Sequence, residues 1–261
     1  MPPERKKVNK AQFNGNETKR PPKGRKSIPE DDPNPIFKQV THPSLDIYKL
    51  DLTDANCYYI ANLFTSSTST SWYTELSNLP TWYRPTLKVY GKSVLQSRSI
   101  AAYSSDPSLS VTYSGTNVVL HTTYSPVIIS IQSLVENKLG VQFNHVMLNK
   151  YESGDVYIGL HADNLENRVI ATVSVGAERM FVMRHRTIKG EAGIWRQRLE
   201  NGSLFVMQGD TQRFWKHEIP RQSKIKGGRI SLTFRQLIQK SPCPLFREMI
   251  DTYFPRVLFW S

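Results

Sequence analysis

Hydrophobic and polar residues alternate over short stretches through the second half of the chain. Turn-forming sequences such as Glu152-Ser-Gly-Asp155 and Asn201-Gly202 separate these stretches. Runs of four to eight residues with this alternation, bounded by turns, predict half-buried β-strands. The predicted strands cover residues 143–151, 156–161, 169–175, 179–185, 193–199, 203–208, 214–219 and 228–235. Eight such strands favour a double-sheet jelly roll, or double-stranded β-helix, as a catalytic core over residues 141–238.

The first half of the chain, residues 36–140, predicts an extension with helices and short strands. Residues 36–52 are expected to form strand and loop, and Thr53-Asp54-Ala55-Asn56 resembles a helix cap before a short helix that ends in the Ser/Thr run 65–71. Residues 86–90 and 109–113 alternate as short strands. The predicted class is therefore α+β, and mainly β.

A second helix is predicted between Pro126 and Gly140. Proline suits the first turn of a helix, and glycine suits the position that ends it. The expected buried face repeats at helical spacing. It consists of Ile128, Ile131, Leu134, Val135 and Leu139.

Charge is concentrated at the amino end of the 261-residue chain. Residues 1–30 contain nine basic and three acidic side chains, which is half of the formal net charge of +12. This composition predicts a disordered basic arm over residues 1–35. The arm suits a nuclear localisation signal, with KRPPKGRK as its centre, or a polyanion-binding tail, or a solvated tail without a task. At the other end, residues 239–261 contain five aromatic side chains, which suggests burial or a partner.

Other features of the composition restrict the cellular setting. Cys57 and Cys243 are the two cysteines and form no CxxC motif, so neither a disulfide framework nor a cysteine metal cluster is expected. No apolar run approaches the length of a membrane span, and the amino end is charged where a signal peptide is apolar. We therefore predict no membrane association, and a location in the nucleus or also in the cytoplasm.

The chemistry is expected around Asn149 to Asp163. His161 and Asp163 follow a strand-like run two residues apart, so their side chains point to one face, where one metal ion can contact both. His217 lies in the seventh predicted strand and can join them if the two strands pair. Two imidazoles and one carboxylate with open positions opposite are typical of non-haem Fe(II) oxygenases. The same ligands also suit a catalytic zinc ion, so a zinc hydrolase is the alternative.

The last predicted strand has a polar face with an arginine at each end. Arg229, Ser231, Thr233 and Arg235 alternate with Ile230, Leu232 and Phe234. Arginine inside a barrel is costly unless an anion pairs with it, and its planar fork matches a carboxylate. A dicarboxylate cosubstrate that chelates the metal at one end would need such an anchor. The alternative is that this face points to solvent.

These motifs resemble a known family. The segments NKY, GLHAD, SVGAER, NGSLFVMQGDTQRFWKHEIP and RISLTFR occur in the order of the AlkB family of Fe(II)/2-oxoglutarate dioxygenases, over residues 40 to 238. The resemblance implies oxidative dealkylation of nucleic-acid bases, in which 2-oxoglutarate becomes succinate and CO2, O2 is consumed and the alkyl group leaves as an aldehyde. It implies that His161, Asp163 and His217 hold Fe(II).

The resemblance also implies the residues that bind the cosubstrate. Arg229 matches the arginine that holds the distal carboxylate of 2-oxoglutarate, and Asn149 and Tyr151 match its hydrogen-bonding partners. Arg235 matches a second arginine near the metal, and Thr233 lies on the same strand face.

A further segment, KVYGKSVLQSRSIAAYS followed by SVTYSG, resembles the nucleotide-recognition lid of the branch that works on duplex DNA. A base must leave the duplex before such an enzyme can reach it. The resemblance implies that Tyr113 stacks on that base, that Tyr90 fills the vacated gap, and that Arg98 and Tyr103 contact phosphate or base. The expected partner is alkylated DNA, with RNA as the alternative, and the protein is expected to be a monomer.

Two departures limit these implications. Asn164-Leu165-Glu166 stands where relatives carry further acidic residues after the His-x-Asp motif, which leaves the base preference open. Tyr90 stands where related proteins have Phe, which leaves the duplex preference open.

Overall fold

A computed structural model describes residues 39–41, 43–89, 92–113, 116–163 and 168–237. The predicted basic arm, residues 1–35, and the predicted aromatic tail, residues 239–261, lie outside the described residues, as does Tyr90 of the predicted lid. Both segments therefore stay predictions.

Short strands and two helices form the amino-terminal half of the described chain, and a third helix of a single turn lies in the second half. The strands are β1 (Asn56–Ile60), β2 (Thr86–Val89), β3 (Lys92–Leu95), β4 (Ser99–Ser104), β5 (Thr112–Tyr113), β6 (Thr116–Asn117) and β7 (Leu120–His121). The helices are α1 (Ser66–Ser77), α2 (Pro126–Leu139) and the single turn α3 (Thr211–Phe214), with 3-10 helices at Pro43–Tyr48 and Glu191–Gly193. No helix in the described ranges is long and apolar enough to cross a membrane.

The eight strands predicted in the second half are all present. They are β8 (His145–Tyr151), β9 (Ile158–His161), β10 (Val169–Gly176), β11 (Arg179–His185), β12 (Ile194–Leu199), β13 (Ser203–Gln208), β14 (Trp215–Ile219) and β15 (Arg229–Arg235). Each lies within two residues of its predicted bounds at either end. Short strand-like runs bounded by turns were therefore a sufficient signal for the core strands, including β13, which is buried along its whole length.

The core strands form two sheets. The major sheet has seven strands in the order β1-β13-β10-β15-β8-β4-β7, and the minor sheet has four in the order β12-β11-β14-β9. Neighbouring strands run antiparallel, with the exception of β4 and β7. Two hairpins, β2-β3 and β5-β6, form separate two-stranded sheets in the region of the predicted lid. The mainly β jelly-roll prediction is confirmed.

The major sheet separates an apolar core from a polar interior. Ile230, Leu232 and Phe234 of β15 are fully buried in the hydrophobic cluster that also contains α2 residues. The alternate residues of the same strand point to the other face, toward the minor sheet, and line a cavity. One strand therefore anchors the fold with one face and carries candidate chemistry on the other.

Helix α2 confirms the second predicted helix, with one difference on its buried face. Pro126 occupies its first turn, and Gly140 ends it in the left-handed region with φ of 67°. Leu134, predicted to be buried, is 46% exposed, whereas Val127 is buried. Val127 and Leu134 lie two turns apart on the same edge of the stripe, so the buried face keeps its predicted direction and differs only in which of the two residues is covered.

The first predicted helix was wrong. Residues 56–60 form β1, which pairs antiparallel with β13 and buries Cys57, Tyr58 and Ile60. Helix α1 instead occupies the Ser/Thr run, where the Thr65 hydroxyl accepts a hydrogen bond from the Thr68 amide at 3.2 Å. Burial of the α1 residues Trp72 and Leu76 stabilises a helix that the local propensity of serine and threonine disfavours.

Two shorter predictions also differ from the structure. Residues 43–48 form a 3-10 helix where strand and loop were expected, and the predicted strand 109–113 is reduced to the two residues of β5. Both segments lie outside the jelly-roll core, where fewer neighbouring strands fix the backbone.

Candidate metal and cosubstrate site

A narrow cavity of about 60 Å³ lies between the two sheets and opens to solvent. Its polar walls come from four strands. β8 and β15 of the major sheet contribute Asn149, Tyr151, Arg229, Thr233 and Arg235, and β9 and β14 of the minor sheet contribute His161 and His217, with Asp163 just after β9. Every predicted metal and cosubstrate residue therefore lines one cavity.

The three predicted metal ligands lie together at the minor sheet. His217 of β14 stands opposite His161 of β9 in the antiparallel register, and their ring centroids are 4.4 Å apart. One ligand atom from each of His161, Asp163 and His217 lies within 4.8 Å of the others. This is the only group of three or more such side chains among the described residues. Two nitrogens and one oxygen suit iron(II) and also zinc.

Neighbouring groups hold these side chains in position. Nδ1 of His161 lies 2.8 Å from the carbonyl oxygen of Gly159, so it must carry the proton, which leaves Nε2 free for a metal. The Gln212 side-chain oxygen accepts a hydrogen bond from the Asp163 amide at 2.9 Å. Phe181 stacks on His217 with ring centroids 5.3 Å apart. These contacts orient the three candidate ligands.

The electrostatics favour a metal-ready protonation state. Burial acts to raise the pKa of Asp163, but the charges of Arg235, His217 and His161 outweigh it and lower that pKa to about 2. Burial and the neighbouring His161 lower the pKa of His217 to about 3, and burial also lowers the pKa of His161. At neutral pH the carboxylate is therefore ionised and both imidazoles are neutral, as metal ligation requires.

A second polar group lies on the major-sheet side of the cavity. Arg229 is 2% exposed, and its Nη2 donates to Ser174 Oγ at 2.8 Å. Its Nε and Nη1 find no hydrogen-bond partner within the described residues. A buried guanidinium with two unused donors is costly, and a carboxylate is the group that matches its fork. The residues present therefore fit an anionic cosubstrate.

Asn149 and Tyr151 flank this arginine on the adjacent strand. The Tyr151 ring lies 5.2 Å from the guanidinium carbon of Arg229, and Asn149 Oδ1 accepts from Arg98 Nε at 2.7 Å. Arg235 contacts Asp163 through Nη2 at 3.1 Å, and Thr233 faces the cavity beside it. The polar face of β15 thus points inward and not to solvent.

Two predicted substrate contacts need correction. Tyr103 lies in the hydrophobic core, 2% exposed, with its hydroxyl 2.6 Å from that of Thr81, so it cannot reach a base. Arg98 is 5% exposed and lines the cavity beside Asn149, so it does not reach a phosphate outside the cavity, whereas its contact with a base stays a prediction. The positions of Tyr103 in β4 and of Arg98 just before it are both fixed by the antiparallel pairing of β4 with β8.

The two remaining lid residues stay predictions. Tyr113 is the last residue of β5, in a hairpin with β6, and Tyr90 lies outside the described residues.

Several residues that support the site had no individual signal in the sequence. Gln212, Phe181 and Ser174 contact site residues from positions far along the chain. Phe181 lies at a buried position of β11, but the spacing of apolar residues in that strand does not indicate that it contacts His217. The histidine that it contacts is 36 residues away, which is set by the pairing of β11 with β14.

Comparison with known proteins finds one matching family and several similar proteins that share a name. Residues 56–235 match the family described as the 2OG-Fe(II) oxygenase superfamily. A protein of Arabidopsis thaliana named DNA oxidative demethylase ALKBH2 is 30% identical over 206 residues, which cover 69% of this chain and 66% of that protein. The proteins of the same name from Bos taurus and Homo sapiens are 31% and 34% identical, over 70% and 58% of this chain. The chain spans 69% and 61% of those two proteins.

Proposed function

This chain belongs to the AlkB family of the 2OG-Fe(II) oxygenase superfamily, and from that premise we propose that it removes alkyl groups from DNA bases by oxidation. The expected substrates are bases of the N1-methyladenine and N3-methylcytosine type. The observation that carries the proposal is the pairing of two features across one cavity. A cluster of two histidines and one aspartate faces a buried arginine with two unused donors.

Each side of the cavity has a separate task. His161, Asp163 and His217 would hold Fe(II), and Arg229 with Asn149 and Tyr151 would hold 2-oxoglutarate by its distal carboxylate. When bound, iron and 2-oxoglutarate supply the activation of O2 that hydroxylates the N-alkyl carbon, with succinate, CO2 and an aldehyde as products. The protein residues orient these groups and limit side reactions.

The clamp argues against a zinc hydrolase. Hydrolysis at zinc needs a metal-bound water and has no use for a buried carboxylate anchor. Arg229 without an anion would leave an uncompensated charge in the interior, which proteins avoid. Those two unused donors therefore favour a cosubstrate that carries its own carboxylate.

A basic cleft on the minor sheet supports a nucleic-acid substrate. It is lined by Leu160, which precedes His161, and by the side chains Arg184, Arg186, Lys189 and Lys216. Arg184 also contacts Glu218 at 3.3 Å, so the cleft is not uniformly positive. Leu160 and Lys216 alternate with His161 and His217, so this cleft lies on the outer face of the minor sheet. Basic side chains on such a face suit a phosphate backbone. We propose that they bind the DNA strand next to the flipped base.

The preference for duplex DNA is part of the proposal. Its support is the resemblance of the lid, with Tyr90 as the gap-filling residue and Tyr113 as the stacking residue. The names of the relatives support DNA as the substrate, without a preference for duplex or single strand. RNA is the alternative substrate. A location in the nucleus is proposed from the basic residues of the arm, and a fluorescent fusion with and without residues 1–30 tests it.

The decisive assay follows methylated oligonucleotides. Single-stranded DNA, duplex DNA and RNA that carry N1-methyladenine are incubated with Fe(II), ascorbate and 2-oxoglutarate, and the repaired base is measured by mass. We expect repair that requires 2-oxoglutarate, vanishes in His161→Ala, and persists in Arg198→Met, which changes an exposed arginine on β12. Tyr90→Ala should slow duplex repair more than single-strand repair. Absence of repair on every methylated oligonucleotide would contradict the proposal, and repair of RNA alone would change the substrate.

A further inference from the structure

Arg179, the first residue of β11, is fully buried and joins two loops. Its guanidinium donates to the carbonyl oxygens of Ser153 at 3.0 Å, Val156 at 2.9 Å and Pro220 at 2.8 Å. Weaker contacts reach the Gly154 carbonyl at 3.4 Å and the Gln222 side-chain oxygen at 3.3 Å. Four backbone carbonyls from two separate segments thus converge on one side chain.

These two segments are two of the connections between the sheets. The first runs from β8 of the major sheet to β9 of the minor sheet, and the second runs from β14 of the minor sheet to β15 of the major sheet. They also contact each other, because Gln222 N donates to Gly154 O and Gly154 N donates to Ile225 O, each at 2.8 Å. A side chain at Gly154 would collide with the Gln222 backbone, so the loops have no slack.

The four strands that enter and leave these loops carry the whole site. β9 and β14 carry the two histidines of the metal cluster. β15 carries Arg229, and β8 carries Asn149 and Tyr151 beside it. The guanidinium carbon of Arg179 lies 5.6 Å from the centre of the Tyr151 ring. The guanidinium carbon of Arg229 lies 5.2 Å from the centre of the same ring. Arg179 therefore joins the two loops at one end of all four strands that carry the site.

We infer that Arg179 is a positioning residue that sets the distance between the metal ligands and the carboxylate clamp, and thereby the length of the 2-oxo acid that the site accepts. This inference rests on the proposed function. Arg179 touches no reacting atom in this account. It acts through the two loops and through Tyr151.

Binding of two acids of different length tests the inference without turnover. The full chain is loaded with Mn(II), and its affinities for 2-oxoglutarate and for 2-oxoadipate, one methylene longer, are measured by calorimetry. A rigid site should prefer 2-oxoglutarate by about 10–200-fold, the usual worth of one methylene. In Arg179→Met, Mn(II) should still bind one per chain, while the affinity for 2-oxoglutarate falls and the preference shrinks to about threefold or less, because a small misplacement of the two halves removes the fit.

Two variants complete the design. Arg198→Met, an exposed arginine on the neighbouring strand β12, should keep the wild-type preference. Gln222→Ala removes one Arg179 contact and one from Met180 N, and it should show a smaller loss of preference; it decides the question if Arg179→Met does not fold. An unchanged preference in the folded variants would overturn the inference and leave Arg179 as a purely stabilising residue. A wild-type protein that binds neither acid would instead reject the proposed function.

Discussion

Arg229→Met should stabilise the cosubstrate-free protein and abolish cosubstrate binding. In the structure the guanidinium is buried with Nε and Nη1 unpaired within the described residues, and Nη2 bonded to Ser174. Each unpaired buried donor costs about 1–3 kcal/mol, and the lost bond to Ser174 is worth about 1.5–3 kcal/mol. Methionine has a similar length and no donor. The two unpaired donors together cost about 2–6 kcal/mol, so from the central values the free energy of unfolding should rise by about 2 kcal/mol.

The same substitution should weaken cosubstrate binding strongly. A carboxylate at Arg229 would accept two charge-assisted hydrogen bonds, each worth about 1.5–3 kcal/mol. Their loss weakens binding by about 3–6 kcal/mol, or about 10²–10⁴-fold in Kd. Stability and binding should thus change in opposite directions, which a generally disruptive substitution would not produce.

Thermal unfolding measures both effects. For a domain of this size, 1 kcal/mol shifts the melting temperature by about 2–4 °C. Without 2-oxoglutarate the Mn(II)-loaded variant should melt above the wild type. With 2-oxoglutarate the wild type should gain stability by mass action and the variant should not. Arg198→Met, at an exposed ion pair, serves as the matched control for loss of an arginine.

Two outcomes would refute this reasoning. If Arg229→Met melts below the wild type in the absence of cosubstrate, the buried guanidinium is satisfied by contacts other than those described. If the variant still binds 2-oxoglutarate with a similar Kd, the anion lies elsewhere in the cavity.

Further predictions concern the surroundings of the site. His145 is buried with both ring nitrogens unpaired in the described part of the chain, and burial followed by the charge of Arg235 lowers its pKa to about 3. The imidazole of His145 is protonated below about pH 6.5 in the unfolded chain but stays neutral in the folded protein, so the free energy of unfolding should fall as the pH falls, by about 2 kcal/mol at pH 5. In urea unfolding, His145→Phe should reduce this pH dependence. An unchanged slope would contradict the prediction. The lowered pKa of His217, about 3, and of His161 should keep Mn(II) affinity nearly constant from pH 8 to 6, whereas a steep decline in calorimetry would indicate ordinary imidazoles. Tyr103→Phe should cost about 0.5–1.5 kcal/mol of stability through the lost contact with Thr81 and leave DNA binding unchanged, and a selective loss of DNA binding would restore Tyr103 to the lid.

The metal and cosubstrate residues were predictable because they obey local rules. His161 and Asp163 share a strand face through their spacing of two, and the polar face of β15 follows from its alternation with three apolar residues. His217 required only that β9 and β14 pair, which the jelly roll provides. Strand periodicity and chemistry therefore indicated the metal candidates and the two arginines, whereas Asn149 and Tyr151 were predicted only from the family resemblance.

The errors have a common physical origin in long-range packing. Residues 56–60 form a strand because β13, about 150 residues later, offers an unpaired edge. Tyr103 faces the core because β4 pairs with β8 in the middle of the major sheet, which its own sequence does not indicate. Arg179 looked like any strand arginine, and its role depends on two loops that lie 25 and 41 residues away.

The most direct test of the central claim follows the atoms of O2. The wild-type protein is supplied with Fe(II), 2-oxoglutarate and N1-methyladenine duplex under ¹⁸O₂, and succinate and formaldehyde are quantified. A 2-oxoglutarate dioxygenase places one oxygen atom of O2 in the new carboxylate of succinate and hydroxylates the methyl carbon with the other. We expect succinate that carries one ¹⁸O, formed in equal amount to formaldehyde and absent in Arg229→Met. Demethylation without labelled succinate, or without any need for 2-oxoglutarate, would contradict it.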